Sequence, residues 1–483
     1  MARTEDAAGP AAAPSEDASL SELPLLKSER IWGFWDSSAV NVGLAIATWA
    51  FLQGGAVAYY VGAKQAVAAT IIGYGVSVLF VALAPCVPSG KYGVEQYVIL
   101  RSIFGVVGAR ILMIVLAVLF AAAWSAVLSI MFGHAIANIS NQLFDTTISH
   151  NSIIVTFMAL LSVVVSWLAL AKGPVSVEWL NRIVVPGLCV VTVGMLILVF
   201  TEVSWTEMTA LPPIQEGIDK HTAFMLAIEL NIAGGFAWWP NVGNLSRLSR
   251  TSRTTFWPNF VGLFLASVVA AIVGAFAALA LKSDDPTVWM VPLGGAVLGI
   301  IALAFIGLAN ITSIVAQGYS TLVALKGGGS AIRRIPWALL AALLLAPAAV
   351  IVFFPASVYD NYDRFVSWGA IIVAPLCAIQ FVDYFVLRGR RLNVRALYET
   401  DQNSPYFYWK GFNIPAWFAA ACGAVTYMLL LDPITYEPSA WFGYLTASLP
   451  SGVVAGGLHY VFCRFWIRRA GLGGYAEQET AQH

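Results

Sequence analysis

Apolar runs of roughly 20 residues, the length a helix needs to cross the hydrocarbon core of a bilayer, recur along the whole chain between short polar connections. They predict an all-α polytopic membrane protein of twelve transmembrane helices, at 34–58, 66–87, 107–136, 152–171, 183–201, 223–244, 257–281, 292–324, 336–355, 365–387, 413–431 and 441–463. The third and eighth are long enough to run tilted. Span six departs from the pattern. The stretch AFMLAIELNIAGGFAWWPNVGNLSRLSR, Ala223 to Arg250, begins as apolar helix, then carries Glu229, Asn231, Gly234-Gly235 and Pro240. Glycine costs about 1 kcal/mol in a helix interior, and unwound backbone inside a membrane survives only where protein buries it or a cavity takes it. The stretch reads as a broken, substrate-facing span; close packing of a neighbouring helix on the glycines is the alternative.

Span one has the same character. Asn41, Gly43, Thr48 and Gln53 interrupt it and Gly54-Gly55 follows. Spans one and six are five apart, as counterparts in a five-plus-five inverted repeat would be. Span eight carries Asn310, Thr312, Ser313 and Gln317 in an apolar helix. Asn310 and Gln317, seven residues apart, share nearly one face and suit a cavity wall, whereas the hydroxyls can bond back to their own helix. Glu229 is a carboxylate well inside a span, where a charge costs at least ~2.5 kcal/mol. It reads either as a proton-coupling residue or as a hydrogen-bonded carboxyl near the end of the span. Trp124 suits stacking on a ring or simple filling of volume. His134 suits a proton relay or packing.

Only 11% of the 483 residues are charged against 59% hydrophobic, with mean hydropathy +0.77. Soluble proteins average about 25% charged, so the chain lacks the polar surface a water-soluble globule needs. The net charge is zero, and no nucleic-acid partner is indicated. With the N-terminus in the cytoplasm, all but Lys64, Lys220, Lys282 and Arg364 of the 26 Lys and Arg fall inside, as the positive-inside rule requires. That places both termini in the cytoplasm and the protein in the plasma (inner) membrane. Residues 1–27 read as a disordered tail without signal-peptide features. PSGKYGVEQYVILRSIFGVVGAR reads as an amphipathic helix on the cytoplasmic face, and Asp36 and Asp383 as anchors at cytoplasmic span ends. The five cysteines and five histidines show no CxxC, HExxH or paired spacing, so neither a disulfide framework nor a zinc site is indicated, and an integral-membrane enzyme is disfavoured. No pore element of a channel is found either.

Four stretches resemble the nucleobase:cation symporter-1 family, permeases for purines, cytosine, uracil, hydantoins and allantoin: KYGVEQYVILRSIFGVVGARI before span three, GGFAWWPNVGNLSRLSR in span six, FVDYFVLRGRRLNVRALYE closing span ten, and YFYWKGFNIPAWFA leading into span eleven. The resemblance implies a leucine-transporter-like core over 28–411, with repeat one at 32–201 and repeat two at 223–387, then two peripheral helices in 412–466 and a cytoplasmic tail at 467–483. It implies alternating access around a midplane site between spans one, three, six and eight, with a ring sandwiched between aromatic side chains and sodium or a proton as the coupling ion. Carried over residue by residue, Phe236 stands at a stacking tryptophan of span six and Trp124 at that of span three. Ala47, Val127 or Leu128, and Ile314 stand where the family places hydrogen-bonding amides. Substrate contacts are therefore expected from Ala47, Thr48, Trp124, Ser125, Gly235, Phe236, Asn310 and Gln317. Carbonyls of Gly43 and Ile46 fit the cation pattern. The hydroxyl pair of span eight falls at Leu308 and Ala309, with Thr312 and Ser313 one turn later. The expected function is cation-coupled import of a small heterocycle such as a nucleobase, hydantoin, allantoin or vitamin-like compound; another small solute, an amino acid or amine, on the same fold is the alternative. No cofactor is expected and no metal beyond sodium. The oligomeric state is open, a monomer included.

Overall fold

The computed structural model describes residues 23–475 except 216 and 360. Of the expected tails at 1–27 and 467–483, residues 1–22 and 476–483 lie outside the described residues. Those described are helical, with three isolated β-bridges and no strand among them. In chain order the main helices are α1 (Phe34–Ala45), α2 (Thr48–Tyr60), α3 (Ala63–Tyr92), α4 (Val106–Phe144), α5 (Ile153–Ala171), α6 (Pro174–Glu202), α7 (Lys220–Phe236), α8 (Trp239–Ser246), α9 (Ser252–Leu281), α10 (Pro286–Lys326), α11 (Trp337–Ile351), α12 (Tyr362–Leu387), α13 (Ile414–Leu430) and α14 (Ser448–Phe462). Seven are long and apolar enough to cross a membrane alone, and α1 with α2, bent by 53°, makes an eighth. The other expected spans coincide with the shorter pieces α7–α8, α11, α13 and α14.

A membrane explains the outer surface. Phe157, Leu161, Val164 and Leu168 of α5 and Val190, Val193 and Ile197 of α6 are all exposed. In water such an apolar patch would aggregate; in lipid it is solvated, and only the polar backbone must be satisfied internally, which helices do.

The packing repeats with an offset of five spans. The first broken span, α1 and α2, lies on α9; the second, α7 and α8, lies on α3. Likewise α5 packs on α10 as α11 packs on α4, and α6 meets α1 as α12 meets α7. Each of these three contacts reappears with the partners' roles exchanged, as two intertwined five-helix repeats require. Helices α13 and α14 pack on each other and reach the core through α12.

Glycines set how closely these helices meet. A Cβ on Gly235 of α7 would overlap the Ser77 hydroxyl of α3, and one on Gly54 of α2 would overlap the backbone carbonyl of Ala271 of α9. The glycine pairs therefore serve packing. α7 runs unbroken through Gly234-Gly235, and between it and α8 Ala237 (φ −59°, ψ −17°) and Trp238 (φ −74°, ψ −25°) stay in the right-handed helical region, so this interruption is a slack turn and not an unwinding like that at Ile46–Ala47. Pro240 sits in the first turn of α8, where its missing N–H has no helical partner to lose.

Two further expectations change. The long eighth span is bent near its start: Gly295, at φ 66° and ψ 179°, turns the chain inside α10. The segment before span three is no surface amphipathic helix. It forms two short turns, Gln96–Ile99 and Arg101–Phe104, almost wholly buried. Gln96 bonds the carbonyl of Trp239 (2.8 Å) and the N–H of Gly243 (3.1 Å), while Arg101 reaches the carbonyls of Leu397 and Gly327. This segment plugs one end of the bundle beneath α8. At the same end Asp36 closes the first turn of α1 onto the Gly33 N–H (2.9 Å), and Asp383 pairs with Arg388 (2.6 Å). Leu25 and Tyr475 are also buried there, so the described parts of both tails pack on the core.

Candidate functional site: an aromatic cavity at two helix breaks

The break between α1 and α2 contains neither glycine nor proline. Ile46 leaves helical space at ψ 98° and Ala47 is extended at φ −144° and ψ 179°. Ala47 occupies the N-cap position of α2 but has no side chain to cap with. Asn310 of α10 supplies the cap from outside: its Oδ1 accepts from the Thr48 N–H (3.2 Å) and from the Thr48 hydroxyl (2.8 Å). An orphan N–H buried in a membrane protein is costly, so a span-eight amide holds the span-one break open.

Beside this break a cavity lies among Leu44, Trp49, Trp124, Leu128, Trp238, Asn241, Ser313 and Gln317. Its volume is ≈ 30 Å³, room for a water or two and not for a ring. Three indoles form its walls. Trp49 meets Trp238 edge-on with centroids 4.7 Å apart and Trp124 at 5.8 Å. Phe365 backs Trp124 at 5.0 Å. Polar atoms are few and well placed. Gln317 donates to Ser125 (3.2 Å). Trp238 Nε1 and Ser313 Oγ are buried and have no hydrogen-bond partner among the described residues.

Of the expected substrate contacts, Trp124, Gln317 and, behind it, Ser125 come together here. Thr48, Ala47 and Asn310 form the adjoining break. Phe236 does not reach the cavity: its ring lies in a separate apolar cleft with Phe80, Cys377, Phe381 and Val453. Gly235 packs against Ser77 instead. Trp238, two residues on, lines the cavity. Leu128, rather than Val127, lines the wall, and Gln317, rather than Ile314, faces it. Trp49 was missed; its place one residue into α2 is visible only once the break is located.

The expected cation candidates are Gly43, Ile46, Thr312 and Ser313. Leu308 is 47% exposed and faces away from the interior, whereas Thr312 and Ser313 are buried. Thr312 donates to the Ala309 carbonyl (2.8 Å). α10 packs on α1, whose last turn carries Gly43 and Ile46. A helix end leaves carbonyls without internal partners, and the end of α1 at the break is such an end.

Glu229 stands apart from all of this. Its Oε2 accepts the N–H groups of Ala447 and Ser448, each at 3.0 Å, and its Oε1 takes the Ser448 hydroxyl. The carboxylate caps α14, a peripheral helix, and points away from the cavity.

Two interrupted helices meeting at a small aromatic cavity, in a bundle built of two exchanged repeats, define a membrane transporter of the secondary active class. The family of permeases for cytosine/purines, uracil, thiamine and allantoin matches residues 24–447, and the chain belongs to it. A purine-uracil permease of Arabidopsis thaliana is 23% identical over 83% of this chain and 69% of its own length. Among solved structures, the nucleobase-cation-symport-1 transporter Mhp1, closed with bromovinylhydantoin bound, superposes with a TM-score of 0.74 at 19% identity, over 93% of this chain and 96% of that one. Its inward-facing conformation gives 0.73 at 17% identity, over 95% and 97%. A sodium-coupled sialic acid symporter shares the fold at 0.58 and 14% identity, over 90% and 91%. The chain is a permease and not an enzyme, and its relatives couple transport to a cation.

Proposed function

We propose that this permease imports a flat heterocycle of nucleobase or vitamin-like size, held between Trp124 and Trp238 and admitted when Trp49 swings out from between them. One observation carries the reading: Trp238 lines the cavity, and its indole N–H is buried without a partner among the described residues. A buried donor left unpaired costs about 1–3 kcal/mol, which a ring nitrogen or carbonyl of the substrate recovers. Ser313 and Gln317 add a hydroxyl and an amide, enough to orient a ring with both donors and acceptors. The amides expected from the family pattern at positions 47 and 314 are absent, which favours a substrate with fewer polar edges than a hydantoin.

The coupling ion in this reading is sodium, bound by the α1 carbonyls of Gly43 and Ile46 with Thr312 and Ser313. Hard cations take oxygen ligands, and the carboxyl that would have carried a proton, Glu229, is engaged elsewhere. The basic end of the bundle, with Arg247, Arg250 and Arg388, faces the cytoplasm of a plasma membrane, twelve spans cross it, and a monomer holds the complete site. Binding of nucleobases, hydantoins, allantoin and vitamin-like heterocycles to purified protein, followed by thermal shift with sodium or choline, tests this. A stabilising heterocycle whose effect needs sodium is expected. Stabilisation only by amino acids or amines would overturn the substrate class, and stabilisation indifferent to sodium would overturn the ion.

A further inference from the structure

At the end of the bundle opposite Arg388, three residues far apart in sequence converge. His134 belongs to α4, His150 to the loop between α4 and α5, and Asp285 precedes α10. The Asp285 Oδ2 lies 3.2 Å from His134 Nδ1 and 3.4 Å from His150 Nδ1. One ligand atom from each falls within 4.8 Å of the others. We propose that this triad is a binding site for a borderline transition-metal dication of the zinc type, which pins α4, the following loop and the start of α10 together.

The geometry supports it. Zinc binds imidazole nitrogen and carboxylate oxygen at about 2.0–2.2 Å in a tetrahedron, whose edges are then about 3.3–3.5 Å. The two nitrogen–oxygen distances, 3.2 and 3.4 Å, lie within about 0.1 Å of such edges, and both are also hydrogen-bond lengths. The supporting contacts are also those of a metal site, in which outer partners orient the ligands. Asp285 Oδ1 is committed to the Thr287 N–H (2.8 Å) and hydroxyl (2.7 Å), which turns Oδ2 towards the histidines. His150 Nε2 meets the Asn138 amide at 3.1 Å, and Asn138 is itself fixed to Thr287. Asn141 holds the loop through its oxygen, which accepts from Ile148 N–H and the Thr146 hydroxyl, so the backbone delivers His150 to the spot.

The rings of His134 and His150 stack at 4.1 Å and 14°. A shared ion needs one to tilt. His150, with a 28% exposed side chain on a loop, has the room, and that exposure leaves a path and a coordination position for water. Sequence spacing gave no hint of this site, because its members are 16 and 135 residues apart along the chain, separations read from the residue numbers. Its bare alternative is a hydrogen-bonded triad in which both imidazoles donate to one carboxylate oxygen.

Purified protein without a polyhistidine tag, stripped with chelator, decides between them. Micromolar Zn²⁺ should raise the melting temperature by several degrees, and Co²⁺ should give the intense visible band of a tetrahedral centre. His150→Ala should weaken both at least tenfold, Asp285→Asn likewise, and His221→Ala, an exposed control elsewhere, should change neither. No shift with Zn²⁺, an aquo-like Co²⁺ spectrum, an unchanged response in His150→Ala, or a response lost in His221→Ala would each overturn the site. None of these readouts involves transport, so they stand or fall separately from the proposed substrate.

Discussion

Glu229 and Ser448 lie side by side, Oε1 to Oγ at 2.5 Å, with the second oxygen of Glu229 on the first N–H groups of α14. The side chain of one helix thus caps another, neutralising the positive end of its dipole. Charge-assisted hydrogen bonds contribute about 1.5–3 kcal/mol each. Glu229→Gln keeps one acceptor and loses the charge, so we expect about 2 kcal/mol of lost stability, read as a lower melting temperature in detergent. The pH profile of uptake should stay as in the wild type. A flattened profile would return Glu229 to proton coupling.

Trp238 and Phe236 offer a contrast within three residues. Trp238 stands on the cavity and Phe236 in the cleft towards α12 and α14. Loss of an aromatic platform costs about 1–3 kcal/mol per stacked ring, close to ten- to a hundredfold in affinity. Trp238→Ala and Trp124→Ala should raise the substrate concentration for half-maximal uptake by that much at normal surface expression. Phe236→Ala should leave it within about twofold, since an exchange of apolar contacts far from the ligand changes packing and not recognition. Equal losses at Phe236 and Trp238 in a radiotracer assay would mean the cavity is assigned to the wrong face.

The architecture was legible because a membrane imposes it: apolar length gives spans, and Lys and Arg give a consistent inside. The Gly-Gly pair drew attention to span six, yet it marked the contact with Ser77 and not the break. Breaks are tertiary events. Ile46–Ala47 has no local signal, since its cap comes from Asn310 some 260 positions later, and every assignment beyond a break depends on where the helix restarts. The sequence pattern points to Phe236, whereas Trp238 and Trp49 line the cavity at the break. Span eight shows the same effect: Leu308 matches the family pattern by position, but its side chain faces outward and the buried hydroxyls are one turn on.

Asn310 gives a test of the break itself. In Asn310→Ala the Thr48 N–H and hydroxyl lose their acceptor while remaining buried. The cost is about 1–3 kcal/mol for the stranded donor. Thr48 can recover part of it only if α1 and α2 straighten or water enters. We expect uptake to fall at least tenfold with substrate binding and stability both reduced, and Asn310→Asp, which keeps an acceptor at the same place, to retain much more. Indistinguishable Ala and Asp variants would show that the amide serves the cavity and not the cap.

The coupling ion can be examined at Ser313, whose hydroxyl is buried with no partner among the described residues, and at Thr312, which is tied to Ala309. If both ligate sodium with the α1 carbonyls, Ser313→Ala removes one oxygen of the few a cation retains, and the loss appears as a higher sodium requirement with little change at saturating sodium. The reasoning follows from linkage: an ion that binds only the assembled break stabilises it in proportion to its occupancy, so excess sodium compensates for a weaker site. Thr312→Ala should act in the same direction and Thr312→Ser much less, because the serine keeps the oxygen. Uptake measured across a sodium series, with choline keeping ionic strength constant, reads this directly. An unchanged sodium curve in both alanine variants, together with uptake driven equally well by a proton gradient in choline, would transfer the coupling role to the proton.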